Sequence, residues 1–189
     1  MKILLTFLLA CAAASAQRGK VTVVIETSLG TIEAEMAADA APLTAANFLR
    51  HVDAGHYRNG MFHRTVRPNN QPNNAVKIEV IQGGPAPEAA KFPPVPLERT
   101  SLSGILHRDG VLSMARGGPD TATSDFFICI GDQPSLDFGG KRNADGQGFA
   151  AFGRVTKGMD VVRKIQTAPA QEQRLTPPVR ILRIVRKGA

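Results

Sequence analysis

Tryptophan is absent from these 189 residues, tyrosine occurs once, and aromatic side chains make up only 5% of the chain. So few rings leave no stacking platform of the kind that holds single-stranded nucleic acid. The net charge of +7 is spread without a dense basic run, so it reads as a solvated basic surface, and no nucleic-acid partner is expected. Cysteine is nearly missing too, with only Cys11 and Cys129. The four histidines (51, 56, 63 and 107) show no metal-ligand spacing, and no Ser/His/Asp order stands out, so neither a metal, a cofactor nor a nucleophilic triad is expected. No internal repeat is visible.

Long apolar runs are also lacking. The longest, Ile3–Ala14, counts twelve residues, short of the roughly twenty that span a bilayer. It follows Lys2 and ends in Ala14-Ser15-Ala16 before Gln17, the charged, apolar and small-residue order of a secretory signal. Residues 1–16 are therefore read as a signal peptide, and 17–189 as one globular domain of 173 residues (189 − 16). The expected location is exported, periplasmic or secreted, with no stable membrane insertion after cleavage. A rival reading makes Cys11 a lipidated residue after Leu8-Leu9-Ala10. Cleavage after Ala16 would leave Cys129 alone in an apolar run, a small buried hydrophobe without a disulfide partner.

What is present is β-pattern. Val21–Thr27 and Thr31–Met36 alternate around Ser28-Leu29-Gly30, a hairpin. Pro42 opens a helix over Leu43–Ala54, with Gly55 as its stop. Strands are expected at Met61–Val66 and Val76–Ile81, with the loop Asn69–Asn74 between them. Lys91–Pro96 reads as an extended connection, Lys157–Ile165 as a second helix and Val179–Val185 as a closing strand. In Gly110–Ile130, the apolar runs Val111–Ala115 and Phe126–Ile130 flank ten residues too polar for core and too rich in Gly and Pro for helix, a stiff loop between strands. Two helices among about eight strands suggest a closed antiparallel barrel.

Three islands carry more than pattern: Phe62-His63-Arg64, Gln82-Gly83-Gly84 and Leu112-Ser113-Met114-Ala115. They continue in order with Gly118-Pro119, Ser124, Phe126-Phe127-Ile128, Leu136-Asp137, Phe152-Gly153, Val155 and Gly158-Met159-Asp160-Val161-Val162. In that order, from about Val21 to Val185, the chain resembles the cyclophilin family of peptidyl-prolyl cis-trans isomerases, here of exported bacterial type. The resemblance implies a mainly β fold, a closed eight-stranded antiparallel barrel capped by two α-helices. It also implies rotation about Xaa-Pro bonds, with proline-containing polypeptides as partners and no cofactor. The barrier to that rotation is about 18–20 kcal/mol and no bond breaks, so catalysis must come from binding the twisted amide better than the planar ones.

By motif position Arg64 is the catalytic residue, a charged and rigid fork of donors for the proline carbonyl. Val80, Phe127 and Leu136 wall the proline slot, with Phe62 behind, although ordinary core would also account for Phe127 and Leu136. Gln82 and the backbone of Ala115, Arg116 and Gly117 hold the peptide, while His63 reads as a packed structural residue. The chain departs from the family at Glu79-Val80, where Phe-Met is common, at Arg116 for Asn, at Asp125 for a peptide-touching Gln, at Ser135 for Trp and at Phe149 for His. Asp125 and Phe149 are still placed at the substrate, and Asp125 is expected to approach and tether Arg64. Extra length at 67–76 and 138–148 is expected near the groove. The reading is an exported prolyl isomerase that assists folding. The alternative is a catalytically weak cyclophilin-fold peptide-binding module or holdase. Oligomeric state stays open, with a monomer favoured.

Overall fold

A computed structural model describes residues 21–90 and 92–188; the signal-peptide reading of 1–16, and Cys11 with it, lies outside the described residues. The chain runs through β1 (Val21–Thr27), β2 (Gly30–Met36), α1 (Pro42–Asp53), β3 (Gly60–Val66), β4 (Val80–Gly84), α2 (Thr100–Ser103), β5 (Val111–Met114), β6 (Phe126–Cys129), β7 (Ala151–Lys157), α3 (Met159–Gln166), β8 (Ala170–Gln171) and β9 (Arg174–Arg186). The strands pair in the order β1-β2-β7-β5-β6-β4-β3-β9, and β1 pairs back onto β9, which closes an eight-stranded antiparallel barrel. β8 is a two-residue addition on the outer edge of β9.

Alternation drives closure. Val23, Ile25, Ile32 and Ala34 point inward and are fully buried, while their neighbours face out, the two-residue period of a half-buried strand. Phe62, Ile81, Leu112, Phe126 and Phe152 fill the interior from the other strands. Phe48 of α1 plugs one mouth, its ring 5.0 Å from Phe152 and 5.4 Å from Phe126. Val162 and Ile165 of α3 are fully buried in the same core.

Three elements were displaced from the sequence expectation or had no counterpart in it. The strand expected at Val76–Ile81 is instead β4, shifted to Val80–Gly84. Its glycines are required by close approach, since a Cβ on Gly83 would meet the Met61 carbonyl at 2.7 Å and the Phe62 ring at 2.8 Å. A period of apolar residues cannot show a strand that ends in Gly-Gly. β7 carries no clean alternation, with buried Ala151, Phe152 and Gly153 in succession. The one-turn α2 adds a third helix. The Glu98 side chain just before it caps α1 across 54 residues, accepting from the Thr44 N–H at 2.7 Å and the Thr44 hydroxyl at 2.6 Å. A cap supplied from so far away has no local sequence signal.

Candidate active site

β3, β4, β5 and β6 present one face of the barrel to a cavity of about 230 Å³ lined by Arg64, Ile78, Val80, Gln82, Ala115, Arg116, Phe127, Leu136, Arg142, Asn143 and Phe149. Val80, Phe127 and Leu136 form its apolar floor together with Val66, Ile78 and Cys129, a cluster separate from the barrel interior. Phe126 and Phe127 show how one strand serves both: Phe126 is in the interior and Phe127, turned the other way, in the floor. Burial pushes the Cys129 thiol up from its ordinary value and leaves it inert.

Arg64 stands on β3 at an irregularity of the β3–β4 and β3–β9 pairing, which offsets it from the strict alternation begun at Phe62. Its Nη1 donates to Gln82 Oε1 at 2.9 Å, and Nε and Nη2 both donate to Gln173 Oε1 at 2.9 and 2.6 Å. A guanidinium has five N–H donors, so these three leave two for a ligand. Both partners are neutral amides. Burial lowers the pKa of Arg64 from its ordinary value, yet a guanidinium remains charged in proteins. Gln173 was not foreseen; it sits in the β8–β9 turn, where the sequence offers only turn residues.

Of the residues placed at the substrate by sequence, Arg64, Val80, Gln82, Ala115, Arg116, Phe127, Leu136 and Phe149 line this cavity. Three do not. Phe62 is fully buried inside the barrel, edge-on to Phe126 at 5.7 Å, so it can stiffen β3 but touch nothing outside. Gly117 lies beyond the cavity, and its N–H is taken by Thr121 Oγ1 at 3.1 Å. Asp125 does not tether Arg64: its carboxylate packs over Gly84 and faces His63, Nε2 to Oδ2 3.8 Å. Asp125 stands just ahead of β6, where Phe126 begins the strand, so the alternation that would align it with Phe127 does not extend to it. The Ala115 N–H is also committed, to Asp125 O at 2.9 Å, so of its backbone groups only the carbonyl is left to meet a peptide.

Arg116 lines the cavity with a side chain only 1% exposed. Its Nη1 and Nη2 donate to Asp145 at 2.8 and 3.0 Å, its Nε to the Gly148 carbonyl at 2.8 Å, and its guanidinium lies 5.0 Å from the centre of the Phe149 ring. Phe149 in turn meets Phe127 edge-on at 5.3 Å. Behind Phe127, the His107 ring stacks at 6.0 Å. His107 Nδ1 lies 2.7 Å from Asp137 Oδ1, and Nε2 lies 3.0 Å from Ser113 Oγ. The carboxylate assigns the proton to Nδ1. This order is that of a hydrolytic triad, for which no Ser/His/Asp spacing stood out in the chain. Ser113 is fully buried, so it is a buttress for the cavity floor and not a nucleophile.

The two long loops meet at the rim. Gln71 is 1% exposed; its Nε2 donates to the carbonyls of Arg67 and Ile78, both at 2.8 Å, and its Oε1 accepts from Arg142 Nη1 at 2.8 Å. Arg142 Nη1 also reaches the Val76 carbonyl at 2.6 Å. On the far side of Arg64, residues 69–74 and 171–174 line a second, open cavity of about 730 Å³ that Arg64 also lines. Ile78, Arg142 and Asn143 at the first cavity were missed because they stand in loops outside any motif.

The family model described as "Cyclophilin type peptidyl-prolyl cis-trans isomerase/CLD" matches residues 22–186. The chain is 36% identical over 148 residues to a peptidyl-prolyl cis-trans isomerase of Acinetobacter baylyi, covering 77% of this chain and 71% of that one. It is 35% identical over 169 residues to peptidyl-prolyl cis-trans isomerase-like 1 of Neurospora crassa, covering 87% and 94%. The crystal structure of a Cryptosporidium parvum cyclophilin type peptidyl-prolyl cis-trans isomerase aligns with a TM-score of 0.73 at 22% identity, over 90% of this chain and 99% of that one. The same protein, solved in the presence of dipeptide Ala-Pro, aligns at 0.69, also at 22% identity, over 89% and 99%.

Proposed function

The chain belongs to the cyclophilin family of peptidyl-prolyl cis-trans isomerases, and we propose that it turns Xaa-Pro bonds in the cavity that Arg64 shares with Val80, Phe127 and Leu136. That juxtaposition, a cation with two uncommitted N–H donors beside an apolar floor, carries the reading. The proline ring fills the floor. The guanidinium donates to the prolyl carbonyl and favours the form in which the lone pair is localised on the prolyl nitrogen, as it is when the bond is twisted. Gln82 holds Arg64 through its oxygen and keeps its NH₂ for the peptide backbone. Nothing is transferred, so tighter binding of the twisted amide is the whole of the catalysis.

A charge-assisted hydrogen bond contributes about 1.5–3 kcal/mol, and a tenfold change in rate corresponds to about 1.4 kcal/mol. Arg64→Ala is therefore expected to cut kcat/KM for an Ala-Pro peptide by about ten- to a hundredfold in a protease-coupled assay, with the fold intact by circular dichroism. Unchanged turnover in the folded variant would overturn the assignment of Arg64. A wild-type protein that binds the peptide without turnover would instead be a binding module.

The site in the cell belongs to the same proposal: an exported enzyme acting on proline-containing segments of envelope or secreted proteins. Its support is the order of Lys2, the apolar Ile3–Ala14 and Ala14-Ser15-Ala16. N-terminal sequencing of the mature protein from a cell envelope fraction is expected to begin at Gln17. An intact Met1 in the cytosol would refute export, and a lipid on Cys11 would replace cleavage after Ala16.

A further inference from the structure

We propose that the cavity is also an anion subsite, in which Arg142 and Arg64 together receive the carboxylate of an acidic side chain within one or two residues of the substrate proline. This rests on the reading of the cavity as the proline site. Five arginines of the chain, Arg108, Arg116, Arg163, Arg183 and Arg186, are paired with carboxylates at 2.6–2.9 Å. Arg64 and Arg142 have no carboxylate partner among the described residues, although both line a partly enclosed cavity. Arg64 is satisfied by Gln82 and Gln173, and Arg142 by Gln71 and the Val76 carbonyl, all neutral acceptors.

An unpaired charge costs most where water is scarce. Burial and the neighbouring Arg64 cation both lower the pKa of Arg142, which places two like charges within electrostatic reach of each other. A carboxylate between them would remove that repulsion and find donors already oriented. Arg142 commits only Nη1 among the described hydrogen bonds, so Nε and Nη2 remain for it. Asp145, the acid of the same loop, is occupied by Arg116. Arg142 belongs to the 138–148 loop and is braced by Gln71 from the 67–76 loop, so both long loops serve to hold one cation at the rim. A basic residue beside proline would meet repulsion at the same place.

The test compares kcat/KM, and Kd by calorimetry, for paired peptides with Glu or its neutral isostere Gln before the proline, and a second pair with Glu or Gln after it. Full-length mature wild type is expected to favour Glu over Gln by about three- to tenfold in at least one pair. Arg142→Gln is expected to bring that ratio close to one, whereas Arg142→Lys, which retains the charge, keeps part of it. The ratio is the readout, because Arg142→Gln also loosens the rim and lowers both members of a pair. Equal values for Glu and Gln in both pairs, or a ratio that survives Arg142→Gln, would overturn the subsite. Turnover absent for every peptide would strike the isomerase reading instead, and the Kd ratio would still decide the subsite.

Discussion

Val80, Phe127 and Leu136 on one side of the cavity and Arg142, Asn143 and Arg116 on the other meet the same small space with opposite kinds of support. The first three rest on hydrogen-bonded strands and a short 3₁₀ turn at Pro134–Leu136, and they pack into an apolar cluster that also holds Val66 and Cys129. The others rest on polar contacts from the loops: Gln71 and the Val76 carbonyl on Arg142, and Asp145 and the Gly148 carbonyl on Arg116. The apolar wall is continuous with the barrel, so it should fail only when the barrel fails. The polar wall has few buried apolar contacts of its own and can open locally. One wall suits a ring that every substrate shares, and the other suits features that differ from substrate to substrate.

Deleting a member of each wall is the strongest way to break that contrast. Phe127→Ala removes a side chain that is 5% exposed, and such truncations cost about 3–5 kcal/mol. It is expected to lower the urea midpoint of the whole domain in one cooperative transition. Gln71→Ala removes an equally buried side chain with more hydrogen bonds, yet water can replace those bonds once the loop opens. Its global cost is expected to be about 1 kcal/mol or less, with faster proteolytic nicking in 67–76. Equal global losses for the two variants would show that the loop wall is part of the cooperative unit after all.

The same division explains what could be read from the chain beforehand. Val80, Gln82 and Phe127 could be placed at one cavity because they stand at motif positions on paired strands, where register dictates direction, and Arg64 and Leu136 by motif position alone. Phe62 and Asp125 were misplaced for local reasons. Phe62 lies on the inner side of the pairing irregularity that turns Arg64 outward, and the Asp125 carboxylate settles over Gly84, where only a missing Cβ leaves room. Gln71, Arg142, Asp145 and Gln173 were not legible at all. The contacts that join them to the site span 29 to 109 residues, and a long-range polar contact leaves no period in a sequence. The Ser113, His107 and Asp137 chain escaped for the same reason.

Gln173 sharpens the comparison, because it belongs to the loop side but acts on Arg64, the residue proposed to act on the prolyl bond. It accepts from two nitrogens of Arg64 and donates through Nε2 to the Asn70 carbonyl at 3.0 Å. As a positioning residue it should affect the transition state more than ground-state binding. Gln173→Ala is expected to lower kcat about three- to tenfold with little change in KM and none in the urea midpoint. Gln173→Glu, which retains an acceptor, should recover part of the loss. A shifted urea midpoint with kcat unchanged would mean that Gln173 only fastens the β8–β9 turn.

Acid provides the mildest test, acting on one link of the polar wall. Hydrogen bonds from Arg116 first, and then from the Gln147 N–H, hold the Asp145 carboxyl at about 2 against an ordinary 3.8. The folded loop thus prefers the ionised form. Its contribution is fully present above about pH 4, and it is lost as the pH falls through about 2. Asp145 is at the surface, where salt screens such pairs, so the effect should be confined to the loop. Amide exchange at Gln147, corrected for intrinsic rates, is expected to lose protection only below about pH 3 while the β5 and β6 amides stay protected. Asp145→Asn should abolish the acid step and leave the loop partly loosened at neutral pH. Protection that holds unchanged down to pH 2 in the wild type would show that the backbone bonds of the loop, and not the Arg116–Asp145 pair, keep this wall closed.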